Sequence, residues 1–128
     1  MHYQKHFTLE EARHHIPELR KKLIIIRNLS LKLKAIGFDI YKGQYKQGFH
    51  PGTLREFPSD FEKIKQLIKK IYDLGIEVKG VEQGLVDFPA IRANGEEVYL
   101  CWKMDEDDIE FWHRIPDGIK GRRHIDDF

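Results

Sequence analysis

The spacing of apolar residues changes from helical to alternating near residue 75. Ala12, Ile16, Leu19, Leu23, Ile26 and Leu33 recur mostly three or four apart, the stripe of an amphipathic helix. In front of them Thr8-Leu9-Glu10-Glu11 has the form of a capping box, in which hydroxyl and carboxylate each take an amide hydrogen that the helix leaves unpaired. Pro17 interrupts the stripe, because it lacks an amide hydrogen and crowds the preceding turn. The pattern therefore predicts a short helix to about His15, a kink or restart, and a long helix to about Ala35 that stops at Gly37. A second capping box, Ser59-Asp60-Phe61-Glu62, opens a helix with Phe61, Ile64, Leu67, Ile68, Ile71 and Leu74 on its apolar face and Gly75 at its end. Between the two helices, residues 37–58 mix Gly and Pro with Phe38, Tyr41, Tyr45, Phe49 and Phe57. That stretch is too long for a bare connector. It reads as an irregular insertion with a short strand around Phe38–Lys42, or as a loop that engages a ligand or partner.

After Gly75 the alternation predicts four strands, Ile76–Lys79, Leu85–Arg92, Glu97–Lys103 and Ile109–Arg114. Gly80 and Gly84 bracket the first turn, Asn94-Gly95 signals a two-residue type I′ hairpin, and Asp105–Asp108 make the last turn. The expected fold is α+β: a kinked N-terminal helix and a second helix packed on a C-terminal antiparallel four-strand meander. It forms one domain over 1–128, with a helical part at 8–75, a sheet part at 76–115 and a tail at 116–128.

The turns fix a register. A two-residue turn sets Phe88 opposite Cys101 and Asp87 opposite Trp102. A four-residue turn at 105–108 sets Cys101 opposite Trp112 and Leu100 opposite His113. One face then collects Leu85, Asp87, Ile91, Val98, Leu100, Trp102, Ile109, Phe111 and His113, and the other Val86, Phe88, Ala90, Tyr99, Cys101 and Trp112. Both faces are apolar, whereas an antiparallel sheet commonly wets one side. The helices cover one face, and the 37–58 loop, the C-terminal tail or a second copy of the chain must cover the other; the expectation is a homodimer through the Phe88–Trp112 face.

Composition narrows the classes. At 128 residues, 41% hydrophobic and 34% charged, the chain is that of a globular domain. No apolar run approaches the roughly 20 residues of a membrane span, and Met1–His6 lacks a signal-peptide core. The single cysteine, Cys101, excludes an intramolecular disulfide and is compatible with a reducing compartment, so the expected location is the cytoplasm. Net charge is +1 but uneven: residues 1–75 carry 15 Lys and Arg against 8 Asp and Glu, and residues 76–128 carry 7 against 13. The halves either complement each other within one fold or leave a basic helical surface for an anionic partner.

Several motifs in order bring a resemblance. Phe7-Thr8-Leu9-Glu10-Glu11-Ala12 with Pro17-Glu18-Leu19, then Gly84-Leu85-Val86-Asp87-Phe88-Pro89, Leu100-Cys101-Trp102, Trp112-His113 and Asp117-Gly118-Ile119-Lys120-Gly121-Arg122 resemble the prokaryotic family called domain of unknown function 2203. The likeness spans most of the chain outside 37–58. It departs after Trp102, where the family's Gly-Glu turn is replaced by Met104-Asp105-Glu106. The resemblance supports the fold boundaries and brings no activity.

The polar residues within these motifs are Glu11, Asp87, Cys101, His113 and Arg122, with Trp102 and Trp112 nearby. Asp87 and His113 share a sheet face on strands two apart, with Cα atoms about 12 Å from each other by sheet spacings, which weighs against a direct pair. A divalent metal between them would need both side chains to lean inward and a further ligand, Glu11 or His15, from the first helix. Otherwise Asp87 pairs with backbone or Arg, and His113 is a hydrogen-bonded core histidine. Cys101, between Phe88 and Trp112, reads as a small hydrophobe. Nucleotide-loop, zinc-protease and serine-hydrolase signatures are absent. The expectation is a non-catalytic, dimerising module that binds an unidentified protein or small-molecule ligand through Asp87, Trp102, Trp112, His113 and Arg122. The alternative is a metal-binding protein or metal-dependent enzyme using Glu11, Asp87 and His113. A weaker alternative, nucleic-acid binding through Arg20, Lys21, Lys22, Lys69 and Lys70, rests on charge alone.

Overall fold

The computed structural model describes residues 2–46 and 58–128. The first helical stripe forms α1, Leu9–His14, and α2, Ile16–Ala35, with His15 ending one and starting the other. Both halves of the predicted Thr8–Glu11 capping box are made. Pro17 falls in the first turn of α2, where an amide hydrogen has no intrahelical acceptor, so it starts a helix rather than bending one. A small hairpin follows, β1 (Phe38–Asp39) on β2 (Gln44–Tyr45), within the region expected to hold a short strand. Most of the insertion beyond it, 47–57, lies outside the described residues.

Helix α3 spans Ser59–Asp73 and ends at Gly75, whose φ of 90° is open to glycine at little cost. Its start differs from expectation. The cap residue is Pro58, whose carbonyl takes the amides of Phe61 and Glu62, and no side chain caps the helix. Pro58 is extended, with φ −57° and ψ 141°, which is the geometry of a cap position; Ser59 is thereby moved one place into the helix.

The sheet has five strands in the order β3 (Glu77–Gly80), β4 (Leu85–Ile91), β5 (Glu97–Lys103), β6 (Phe111–Arg114) and β7 (Arg123–His124), all antiparallel. The expected four-strand meander is thus extended by the tail, which turns back through a short 3₁₀ turn at Ile119–Gly121.

Both register assignments are corrected by one residue. Arg92 pairs with Glu96 around a three-residue loop, Ala93-Asn94-Gly95, in which Gly95 alone has positive φ, at 88°. A type I′ turn needs positive φ at both central positions, and Asn94 lacks it. Asp87 therefore faces Cys101, and Phe88 faces Leu100. On the other side Cys101 faces Phe111, and Leu100 faces Trp112.

These shifts sort the sheet cleanly. Val78, Val86, Phe88, Ala90, Val98, Leu100, Trp102 and Trp112 lie on one face and join Leu19, Leu23, Ile26, Ile64 and Ile71 of the helices in one core. The opposite face carries Glu77, Asp87, Tyr99, Cys101, Phe111 and His113. The sheet is not apolar on both sides. Phe88 and Trp112 are completely buried within the single chain, which removes the reason for expecting a dimer through them.

Candidate metal centre

Three side chains converge on the outer face of the sheet. Asp87 on β4 and Cys101 on β5 are direct cross-strand partners, and His113 on β6 is two residues beyond Phe111, the partner of Cys101. One ligand atom of each, a carboxylate oxygen, Sγ and an imidazole nitrogen, lies within 4.8 Å of the other two. All three residues are buried.

The two one-residue register shifts cancel between β4 and β6, so Asp87 and His113 keep the diagonal offset the sequence implied. They nevertheless touch: Nε2 of His113 is 3.1 and 3.2 Å from the two Asp87 oxygens. The reach of an imidazole, a carboxylate and a hydrogen bond laid end to end comes to roughly 11 Å, enough for the separation set by sheet spacings when both chains lean along the diagonal. Tyr99 leans the same way. It stands opposite Pro89 on β4, yet its hydroxyl donates across β4 to Glu77 on β3 at 2.9 Å. Its ring also packs on that of His113, with centroids 5.3 Å apart.

The imidazole is held in a defined state. Nδ1 lies 2.8 Å from the carbonyl oxygen of Arg114, which can only accept, so Nδ1 carries a hydrogen and donates it. Nε2 is then the atom presented to both Asp87 and Cys101. Burial alone would lower the pKa of His113. The Asp87 carboxylate, the Cys101 side chain and the Arg114 carbonyl outweigh it and push the pKa up to about 10. With no metal bound, His113 is therefore an imidazolium paired with Asp87 near neutral pH.

This is not the geometry of a nucleophilic triad. There the acid and the nucleophile use opposite ring nitrogens. Here both crowd Nε2, and the far nitrogen is fixed by backbone, the arrangement that orients a metal-ligating histidine.

A polar layer covers the cluster. The Tyr3 hydroxyl lies against Glu77 and Tyr99, and their rings meet edge to face at 5.7 Å. Burial and its bonds to Tyr3 and Glu77 raise the pKa of Tyr99. Glu97 fastens the chain that carries Tyr3, accepting from the His2 amide at 2.7 Å and the Tyr3 amide at 3.2 Å and lying 2.6 Å from Nε2 of His6. Burial acts to raise the pKa of Glu97, but these partners outweigh it and bring it to about 2.

Of the other candidates, none joins this centre. Glu11 bonds the Thr8 amide at 2.8 Å and is exposed, so its expected role as a ligand gives way to helix capping. His15 packs against Phe7. Trp102 and Trp112 face the helices on the opposite side of the sheet; Trp102 donates from Nε1 to the Glu106 carbonyl, and Trp112 lies under the guanidinium of Arg92 at 4.4 Å. Arg122 forks onto both carboxylate oxygens of Glu106 at 2.7 and 3.0 Å and reaches the Cys101 carbonyl at 3.2 Å, which pins the tail to the sheet. Among the basic candidates, Arg20 is engaged with the Met104 and Glu106 carbonyls, and Lys21 and Lys69 pair with acids on their own helices. Cys101 is the member of this cluster that the sequence placed on the wrong face. The signal was present in the run Ala93-Asn94-Gly95, which also fits a three-residue loop with glycine in the left-handed position.

No helix among the described residues is long and apolar enough to cross a membrane. No curated protein and no solved structure matches the chain. A family model described as "Uncharacterized conserved protein (DUF2203)" matches residues 5–125. The chain belongs to this family, in which the function is not established.

Proposed function

We propose that this protein binds one transition-metal ion of the zinc class at Asp87, Cys101 and His113. The observation that carries the reading is the convergence of carboxylate, thiol and imidazole nitrogen within 4.8 Å, on three adjacent strands, with the far imidazole nitrogen already donating to a carbonyl. A thiolate and an imidazole favour zinc and its neighbours over calcium or magnesium, which prefer oxygen alone. The rigid sheet fixes the spacing of the donors, so little side-chain freedom is lost on binding. Three protein ligands leave a tetrahedral ion one further position, as in sites where an exchangeable ligand completes the shell.

In this reading the chain's residues divide the work. Asp87 supplies negative charge, Arg114 holds the imidazole in the tautomer that offers Nε2, and Cys101 gives up its proton to become a ligand. Binding therefore displaces protons, and affinity rises with pH.

The test is titration of the metal-free protein with cobalt(II) and zinc, followed by native mass spectrometry. One ion per chain is expected, with a near-ultraviolet sulfur-to-cobalt band that Cys101→Ser abolishes. A wild-type protein that takes up no stoichiometric metal would return the cluster to a buried ion pair with a structural role.

A further inference from the structure

Among the described residues the helices pack on the other face of the sheet, and beside the buried cluster runs the chain's own N-terminal segment, bonded to Glu97, Glu77 and Tyr99. We infer that residues 2–7 form a strap that gates access to Cys101 and its neighbours. This deepens the metal-centre reading and rests on it for its purpose, although the gate itself can be tested without metal.

Two fixed points define the strap. At one end the Phe7 amide donates to the Pro89 carbonyl at 2.7 Å, alongside the end of β3. In an antiparallel strand a residue's amide and carbonyl point to the same side. The missing amide hydrogen of Pro89 therefore falls where β3 has already stopped, and the strap takes the carbonyl that is left. Phe7 itself turns to the helix side, against Phe88 at 5.4 Å.

At the other end the strap crosses to the outer face. Tyr99 must pass over β4 near Asp87 to reach Glu77, because Glu77 is the cross-strand partner of Asp87. Its ring thus flanks the cluster, packed on His113, and the Tyr3 hydroxyl on Glu77 and Tyr99 holds it there. Glu97 ties the strap in place through His2, Tyr3 and His6. These ties are side-chain bonds at the rim of the fold, whereas the core contacts of β4 and β5 lie on the other face. Such a segment can open locally while the sheet stays intact.

Cys101 is the chain's only thiol and is fully buried, so its reaction with a small disulfide reagent in metal-free protein reports the opening directly. Tyr3→Ala and Glu97→Gln are expected to speed labelling at least about tenfold under native conditions. Ile64→Val, in α3 on the helix side of the sheet and outside the strap, serves as a control that lowers global stability without loosening the strap. Its labelling is expected to stay near the wild-type rate. Equal rates in wild type and both strap variants, or rates that follow global stability across all three, would overturn the gate. In metal-loaded protein the strap variants should bind one ion and release it to a chelator faster than wild type by a similar factor. Faster thiol labelling without any metal uptake would retain the gate and sink the metal reading. Normal uptake with unchanged release and labelling would do the reverse.

Discussion

His113 concentrates the electrostatics of the molecule in one ring. Its pKa rises from an ordinary 6.5 to about 10 on folding, so the folded state holds a proton that the unfolded chain loses earlier. The resulting stabilisation is fully present below about pH 6.5 and disappears as pH climbs through about 10. The metal-free protein should accordingly lose stability across that window, as read from urea midpoints at each pH. His113→Gln should flatten the dependence. His113→Ala leaves the Asp87 carboxylate buried without its partner, a change that costs about 3–5 kcal/mol. Under the proposed metal binding the sign of this behaviour reverses, since the ion would compete with the same proton. A loaded protein should be protected most where the free one is weakest.

Element by element, the same kinds of residue carry different weight according to where the backbone puts them. Thr8 bonds the Glu11 amide at 3.1 Å, and Thr8→Ala should cost about 1 kcal/mol. Ser59 looks identical in sequence, but it lies inside α3 and makes no cap bond. Ser59→Ala should therefore stay within roughly 0.5 kcal/mol of wild type. Gly95, at φ 88° with nothing near an added Cβ, meets backbone strain without a clash. Its change to Ala should cost about 1–2 kcal/mol. Denaturant melts of the Thr8 and Ser59 variants separate the two capping motifs, and that of the Gly95 variant reads the cost of its left-handed backbone.

For the whole molecule, the helices and the Asp87–Cys101–His113 cluster sit on opposite sides of one sheet, so the apolar core and the polar cluster do not compete for the same positions. Ligand binding to the native state alone adds about 2.7 kcal/mol at a hundredfold excess over the dissociation constant. For a domain of this length that corresponds to a rise of order 10 °C in the thermal midpoint. Calorimetry with zinc is expected to show such a rise for wild type and none for Cys101→Ser. The Arg122–Glu106 fork belongs to the same scale. It joins the tail to the β5–β6 turn, and the tail adds a fifth strand to the sheet.

Local rules were enough for much of this protein. Helix limits followed from apolar spacing, from Pro17 and Gly75, and from the Thr8–Glu11 box, because each acts through atoms a few residues apart. Three of the four expected strands were placed to within a residue at each end, and the fourth began two residues later than expected, at Phe111. That Asp87 and His113 share a face was also legible, but only because two register errors cancelled, and their direct contact was not expected. Tertiary structure decided the rest. The backbone at Asn94, which lacks the positive φ of a type I′ turn, set the hairpin loop and moved Cys101 from the face of Phe88 and Trp112 to that of Asp87 and His113. The lean of side chains along the sheet diagonal closed a gap that strand spacing alone left open. The strap over Tyr99 and the docking of Arg122 join residues far apart in sequence, and pairings of that kind are chosen by the packed fold rather than by any local pattern.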